Sequence, residues 1–154
     1  MAVQLIDPQN GSKLQADGPD GLSAGGRRYP IINGIPHICD ESNYTDSFGL
    51  QWNLFAETQI DRAAAGQRQS EDRLFAETEW PRGGLEGQDV LEVGSGAGRF
   101  SRVLLAKTKA RLWSVDYSSA VNANLANNGA LAPERFQLFR ASIYDLPFPD
   151  NSFD

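Results

Sequence analysis

The sequence has almost no cysteine or histidine, the residues that form disulfides and bind zinc. It has one cysteine, Cys39, and one histidine, His37, in 154 residues. A single cysteine excludes an internal disulfide, and one cysteine with one histidine cannot build the usual zinc sites. We therefore interpret the stretch "PHICD" as local packing and expect the protein to hold no metal.

An excess of basic residues and a long apolar run are also missing. Fourteen lysines and arginines stand against twenty aspartates and glutamates, which gives a formal net charge of −6. The basic residues are scattered, so no surface is predicted that would follow the phosphates of a nucleic acid. No stretch approaches the ~18 apolar residues of a membrane helix, and the start has no charged region followed by an apolar one. These absences disfavour nucleic-acid and membrane partners and predict a cytoplasmic protein.

What the sequence does contain changes in character along the chain. Residues 1–45 are rich in Gly, Pro, Asp and Asn, and "RRYPIING" has Asn33 and Gly34 where a tight turn would join two strands. We predict a small β-hairpin module there. Residues 46–82 predict a helical lead-in of two helices, one over "FGLQWNLFAETQIDRAAAG" and one over "SEDRLFAETEW" with Ser70 as its N-cap.

Residues 83–154 alternate between strand-like and helix-like segments. Strands are predicted over "DVLEV", "RLWSV" and "RFQLFRAS", and helices over "GRFSRVLLAKT" and "SSAVNANLANNG". The order β-α-β-α-β implies parallel strands joined by right-handed crossovers. The predicted class is therefore α/β, with the first half of a Rossmann-like, doubly wound parallel sheet that binds its ligand beyond the carboxyl ends of the strands.

Three glycines lie at the junction between the first of these strands and its helix. Gly94 would let the chain turn sharply, Gly96 would let a ligand approach the backbone, and Gly98 would allow close packing of helix on strand. The free N–H groups of the helix start suit a carboxylate or a phosphate. The alternative is a glycine-rich turn without a ligand, although three glycines are more than a turn requires.

The spacing of the glycines bears on which ligand is bound. A dinucleotide fingerprint is G-x-G-x-x-G, whereas this chain has G-x-G-x-G followed by Arg99, which disfavours NAD. Asp116 ends the next strand 22 residues after Gly94, where a carboxylate accepts hydrogen bonds from the ribose hydroxyls of an adenosine-containing cofactor. The alternative role for Asp116 is to cap the helix that follows it.

The stretches "VLEVGSGAGRF", "VDYSSAV" and "ASIYDLPFPDNSFD" resemble, in order and separation, the cofactor motifs of class I S-adenosylmethionine-dependent methyltransferases, most nearly the type 11 group. The resemblance implies S-adenosylmethionine as the cofactor. It also implies that Glu92 steadies the glycine loop and the amino-acid end of the cofactor, along which the backbone of Gly94, Ser95 and Gly96 lies. Asp116 matches the ribose-binding carboxylate.

The same resemblance assigns the adenine end of the cofactor. Tyr117 matches the apolar neighbour that covers the adenine, and Ile143 packs on its ring. Many relatives place an acidic residue against the adenine amino group, where this chain has Ser142. Either Ser142 accepts that hydrogen bond or Asp145 takes over the role.

The N-terminal residues resemble a zinc ribbon whose ligands are missing. Relatives of this group often carry two C-x-x-C pairs ahead of a "YPI--GIP" segment, and alignment on "GGRRYPIINGIP" puts Asp7, Asn10, Leu22 and Gly25 at the cysteine positions. The resemblance therefore implies a ribbon-like module without zinc, held together by packing of its apolar side chains.

Two functions of different class follow from these features. The first is an S-adenosylmethionine-dependent methyltransferase that acts on a small-molecule or other non-nucleic-acid acceptor. The second is a non-catalytic cofactor-binding or interaction fragment of the same fold, and an NAD-dependent oxidoreductase is less favoured than either. No catalytic residue is predicted. Gln51 and Trp52 are candidates for a lid near the methyl donor, with packing of the tryptophan against the sheet as the alternative.

The resemblance also implies an incomplete catalytic domain. In such methyltransferases the strand that matches "DVLEV" lies in the middle of the sheet, and further strands follow the third motif. Here the sequence ends with "SFD". We therefore expect "DVLEV" to lie at the sheet edge and this chain by itself not to transfer methyl groups.

Overall fold

The structure is a computed structural model that describes residues 3–39, 60–61, 66 and 68–154. The first lead-in helix predicted from the sequence falls almost entirely outside these residues. Gln51 and Trp52, the candidate lid residues, lie outside them as well.

The described residues form seven strands and three helices. The strands are β1 (Gln15–Ala16), β2 (Gly21–Ala24), β3 (Arg27–Ile32), β4 (Ile35–Ile38), β5 (Asp89–Val93), β6 (Arg111–Asp116) and β7 (Phe136–Ala141). The helices are α1 (Gln69–Thr78), α2 (Arg99–Lys107) and α3 (Val121–Asn128). The β-α-β-α-β order predicted after residue 83 is confirmed. None of the described helices has the length and apolar character needed to cross a membrane.

All seven strands belong to one mixed sheet in the order β1-β2-β3-β4-β7-β6-β5. The strands β1 to β4 pair antiparallel with their neighbours in sequence. The strands β4, β7, β6 and β5 are parallel to one another. The strand "DVLEV" lies at the end of this order, as predicted, and the backbone N–H of Asp154 donates to the carbonyl of Asp89 at its start (3.0 Å).

The hairpin between β3 and β4 has the turn that its sequence predicts. Ile32 pairs with Ile35, so only Asn33 and Gly34 lie between the strands. Their φ angles are +53° and +79°. Two positive φ angles are what a two-residue type I′ turn requires, and Asn-Gly is the pair that adopts them most readily.

The N-terminal strands are continuous with the parallel sheet rather than beside it. In the register of β4 with β7, His37 pairs with Arg140 and Ile38 with Ala141. Ile35 and Ile38 are each 1% exposed, and they belong to different core clusters. A strand buried on both faces is typical of a parallel sheet interior, which explains why β4 accepts a parallel partner.

Side chains pack into two core clusters on the described strands. One is mostly aliphatic, includes Leu104 and Leu105 of α2, and takes Leu112 from β6. The other takes Trp113 and Phe139, whose rings stack with centroids 5.8 Å apart. Successive strand residues face opposite sides of a sheet, so these two clusters form its two layers.

The start of α1 differs from the prediction. Ser70 is not the N-cap, because the helix begins at Gln69 and Arg68 is the capping position. The carboxylate of Asp61 instead accepts from the backbone N–H of Ser70 (2.8 Å), from its hydroxyl (2.8 Å) and from the N–H of Glu71 (3.3 Å). A carboxylate close in space thus satisfies the free N–H groups that an N-cap side chain usually serves.

Candidate functional site

The predicted binding residues lie where the parallel strands end. The glycine loop follows β5, Asp116 ends β6, and Ser142 follows β7. Because the three strands are parallel and adjacent, their carboxyl ends meet at one edge of the sheet. The structure joins two of these positions directly, since the backbone N–H of Gly96 donates to the Asp116 carboxylate (2.7 Å).

The glycine loop has a backbone conformation that is unfavourable for residues other than glycine. The φ angles of Gly94, Gly96 and Gly98 are +74°, +53° and +85°. The backbone N–H groups of Gly94 and Ser95 both donate to the carbonyl of Val115, at 2.8 and 3.1 Å, which holds the loop against the end of β6. The sharp turn predicted at Gly94 is therefore present.

Gly94 and Gly98 differ in what surrounds them. A Cβ atom placed on Gly94 would meet nothing within 4 Å, so the loop is open on that side. A Cβ atom on Gly98 would lie 2.1 Å from Asn124 Oδ1 and 2.2 Å from Asn128 Nδ2. The close approach predicted at Gly98 exists, but its partner is helix α3 and not a strand.

Asp116 has a local role in the fold that leaves room for the ligand-binding role predicted for it. Its Oδ1 accepts from the backbone N–H (2.8 Å) and the hydroxyl (2.7 Å) of Ser118, which is the local turn ahead of α3. Its Oδ2 accepts from Gly96. A carboxylate offers about four acceptor sites, so three protein donors leave room for another. The local role and a ligand-binding role are therefore compatible.

Glu92 of the edge strand β5 contacts helix α2 and the neighbouring strand β6. Its Oε2 accepts from the hydroxyl of Ser101 on α2 (2.5 Å) and from the hydroxyl of Ser114 on β6. Burial raises the pKa of Glu92 above its usual range; the two serine hydroxyls act in the opposite direction, and the nearby Asp116 carboxylate raises it further. A charge-bearing side chain at this depth needs such donors.

Helix α3 contributes a polar network that sequence reasoning missed. Asn124 Nδ2 donates to the hydroxyls of Ser95 (3.1 Å) and Ser101 (2.9 Å). Asn128 Nδ2 donates to Asn124 Oδ1 (2.8 Å) and to the Gly98 carbonyl (2.9 Å). The available signal was the repeat of asparagine four residues apart in "VNANLANN", since asparagine disfavours helix interiors and is rarely buried there without a polar partner.

A small polar cleft of about 80 Å³ lies between the N-terminal strands and the ends of β6 and β7. Its lining includes three residues from the predicted adenine end, Tyr117, Ser142 and Asp145. Arg27 and Tyr29 of β3 line the same cleft. The structure thus brings both alternatives for the adenine amino group together and adds N-terminal residues that sequence reasoning did not place there.

Ile143 is not part of this cleft. Its side chain is 59% exposed. It lines a different groove, of about 380 Å³, together with Leu91, Leu146, Phe148 and Phe153. Ile143 therefore lines a different cavity from Tyr117 and from its neighbour Ser142, and its predicted packing on an adenine ring stays a prediction.

Comparison with known proteins finds a family match for the C-terminal part of the chain. Residues 90–154 match the family model described as a methyltransferase domain. No protein of curated function matches the chain in sequence.

Solved structures give the fold. A putative S-adenosyl-L-methionine-dependent methyltransferase from Methanococcus maripaludis is 19% identical and superposes with a TM-score of 0.52, over 75% of this chain and 51% of that one. The chain thus spans about half the length of that relative. Phosphoethanolamine N-methyltransferase 1 from Haemonchus contortus, solved with phosphoethanolamine and S-adenosylhomocysteine, is 22% identical over 70% of this chain and 23% of that one (TM-score 0.47). The Methanococcus likeness supports the Rossmann-like α/β fold.

Proposed function

Residues 90–154 match the family model of a methyltransferase domain, and from this premise we propose that the chain binds S-adenosylmethionine and serves methyl transfer to a small-molecule or other non-nucleic-acid acceptor. The observation that carries the proposal is the junction of the glycine loop with Asp116. Two segments 20 residues apart meet through the 2.7 Å hydrogen bond from Gly96 to the Asp116 carboxylate. The loop and the carboxylate therefore face a ligand as one unit.

The residues of this junction fit an adenosyl cofactor. Asp116 keeps acceptor capacity beyond its three protein donors, which suits the two hydroxyls of a ribose. The open space beside Gly94 lets a ligand reach the backbone of the loop. Ser142 and Asp145 line the same cleft as Tyr117 and offer acceptors for an amino group at the adenine end.

When bound, S-adenosylmethionine supplies an activated methyl group on its sulfonium, so that the reactivity belongs to the cofactor. The residues of the chain bind and orient. Alignment of two reactants in one site can lower a barrier by ~7–11 kcal/mol in favourable cases, because the entropy of bringing them together has already been spent in binding. This contribution needs no general base, and we assign none.

The charge of the chain supports an acceptor other than nucleic acid. The net charge is −6, and most described cations are engaged with acidic partners, for example Lys107 with Glu71 (3.2 Å) and Arg111 with Asp89 (2.6 Å). Such a surface does not attract a polyphosphate backbone. A small metabolite is the acceptor class most consistent with it.

Titration calorimetry tests the proposal with two ligands. We expect S-adenosylhomocysteine to bind and NADH to give no heat of binding, because the glycine spacing does not fit a dinucleotide. Binding of NADH without a response to S-adenosylhomocysteine would contradict the proposal. Binding of S-adenosylhomocysteine supports the cofactor assignment with or without turnover, because this chain by itself is not expected to transfer methyl groups.

A further inference from the structure

One face of helix α3 is directed at the glycine loop through side-chain amides. Three asparagines of this helix donate to three successive parts of the loop: Asn124 Nδ2 to Ser95 Oγ (3.1 Å), Asn127 Nδ2 to the Ala97 carbonyl (2.9 Å) and Asn128 Nδ2 to the Gly98 carbonyl (2.9 Å). Positions i, i+3 and i+4 lie on the same face of a helix, so the three amides point the same way. The helix is thus hydrogen-bonded to the loop along most of the loop's length.

Stability of the helix does not explain these residues. Asparagine is among the poorer helix formers, and α3 has four asparagines among its eight residues. Asn124 and Asn128 are fully buried, where an amide is costly unless it is hydrogen-bonded. Alanine or leucine would favour both the helix and its burial. The asparagines therefore point to a role in what they contact.

The loop is a segment that needs such support. Glycine at Gly94, Gly96 and Gly98 gives the backbone more freedom than any other residue would. Freedom in a binding loop lowers affinity, because the ligand must order the loop when it binds. Amides that hold the loop carbonyls in place before binding reduce this cost.

We propose that α3 pre-organises the glycine loop for the cofactor and that Asn127 is a positioning residue whose contribution is separable from folding. The inference rests on the proposed function only for its affinity readout. Asn124 and Asn128 lie in the core and also bond each other, so their loss affects packing. Asn127 is only half-buried, so truncation of its side chain leaves no closed cavity.

The same helix offers a matched control. Asn122 is also half-buried, and its Nδ2 donates to the carbonyl of Ser119 (3.2 Å), which lies before the helix and outside the glycine loop. Asn122→Ala and Asn127→Ala remove the same atoms from the same helix. Only the second removes a hydrogen bond to the loop.

The affinity of S-adenosylhomocysteine is the first measurement, by titration calorimetry on the full chain. We expect Asn127→Ala to weaken binding by about three- to tenfold, the scale of one lost hydrogen bond. Asn127→Asp should weaken it further, because an aspartate oxygen facing the Ala97 carbonyl replaces the donor. Asn122→Ala and Asn122→Asp should change the affinity less than twofold. Equal effects at the two positions would overturn the inference.

Hydrogen exchange of the unliganded protein is the second measurement, and it does not depend on the cofactor. The N–H groups of Gly96 and Gly98 are hydrogen-bonded, to Asp116 and to the Ser95 carbonyl (2.9 Å), and should therefore be protected from exchange. We expect Asn127→Ala to speed their exchange severalfold while the amides of β6 exchange as before. Unchanged exchange at Gly96 and Gly98 would overturn the inference. If the natural protein does not bind S-adenosylhomocysteine, the proposed function fails while this measurement still decides the role of Asn127.

Discussion

Asp116 holds both segments that meet at it, since one carboxylate oxygen accepts from Gly96 and the other from Ser118. We expect Asp116→Ala to weaken the binding of S-adenosylhomocysteine by about 1.5–3 kcal/mol, the scale for hydrogen bonds to a charged acceptor. Because the variant also loses its hydrogen bonds to protein donors, the free energy of unfolding should fall by about 1–2 kcal/mol. Calorimetry and urea unfolding measure the two effects. Asp150→Ala, an exposed aspartate, is the control and should change neither; an unchanged dissociation constant in Asp116→Ala would remove Asp116 from the site.

A comparison of Gly94 with Gly83 separates the effect of backbone strain from that of ligand contact. Gly94 has a φ of +74° and open space around its Cβ position, and Gly83 has the same φ and the same open space. Alanine at either position should lower stability by about 1–2 kcal/mol, the cost of a left-handed backbone. Only Gly94→Ala should weaken the binding of S-adenosylhomocysteine. Equal affinities of the two variants would show that no ligand approaches the loop at Gly94.

At the scale of elements, α1 and α2 are joined through one buried carboxylate. Glu71 of α1 accepts from Arg68 (2.9 Å), Arg82 (3.3 Å) and Lys107 (3.2 Å), the last at the end of α2. Burial raises the pKa of Glu71, but the hydrogen bonds from the three cations outweigh it and hold the pKa below its usual value of 4.5. Ionised Glu71 is therefore favoured in the folded state.

The lowered pKa predicts a pH dependence with a definite sign. A group whose pKa is lower in the folded state stabilises the fold above its unfolded pKa, near 4.5, and this contribution is lost as the pH falls through the folded pKa. Glu71→Gln should therefore be less stable than the natural protein at pH 7, and the difference should narrow below about pH 4.5. Urea unfolding between pH 7 and pH 3 measures it.

Glu77→Gln is the matched control on the same helix. Glu77 pairs with Arg73 (2.9 Å), and both side chains are exposed to solvent. An exposed pair of this kind contributes little to stability. The control should therefore follow the natural protein over the whole pH range. If the difference in stability between Glu71→Gln and the natural protein widened in acid, the lowered pKa of Glu71 would be contradicted.

At the scale of the whole molecule, the pairing of β4 with β7 makes the N-terminal strands part of the main sheet. Ile38→Ala removes a side chain that is 1% exposed beside β7 and should lower the free energy of unfolding by about 2–5 kcal/mol. Unfolding should remain one transition, because the core cluster that contains Ile38 also contains Trp113 and Phe139. Far-ultraviolet circular dichroism and tryptophan fluorescence should then give the same midpoint.

Ile32→Ala is the control for this prediction. Ile32 belongs to the same hairpin, but it is 43% exposed. Apart from the small loss of buried apolar surface, its truncation should change the free energy of unfolding by less than about 0.5 kcal/mol. Two separate transitions in Ile38→Ala, with the later one at the natural midpoint, would show that the N-terminal strands fold as an independent unit.

The sequence by itself determined the local elements of this protein. Asn33 and Gly34 specify a two-residue turn because their backbone tolerates positive φ, and the turn forms where it is predicted. The strands and helices after residue 83 follow from apolar periodicity and from the glycines that interrupt it. The order β-α-β-α-β then implies parallel strands, so the meeting of the glycine loop with Asp116 at one sheet edge was also predictable.

The tertiary structure alone decided which distant segments meet. Nothing local in "IPHI" specifies β7 as a partner. The two strands are about 100 residues apart, and the backbone hydrogen bonds that pair them do not depend on which side chains they carry. The asparagines of α3 are unfavourable for a helix by sequence alone. Their hydrogen bonds to the glycine loop, some 30 residues earlier in the chain, form only in the folded protein. Asp61 replaces the predicted cap of α1 because the folded chain brings a carboxylate to those N–H groups. In each case the stabilisation of the fold comes from a contact between distant segments, in which a polar group gains a hydrogen-bond partner or an apolar side chain is buried. Only the assembled sheet and helices bring these groups together.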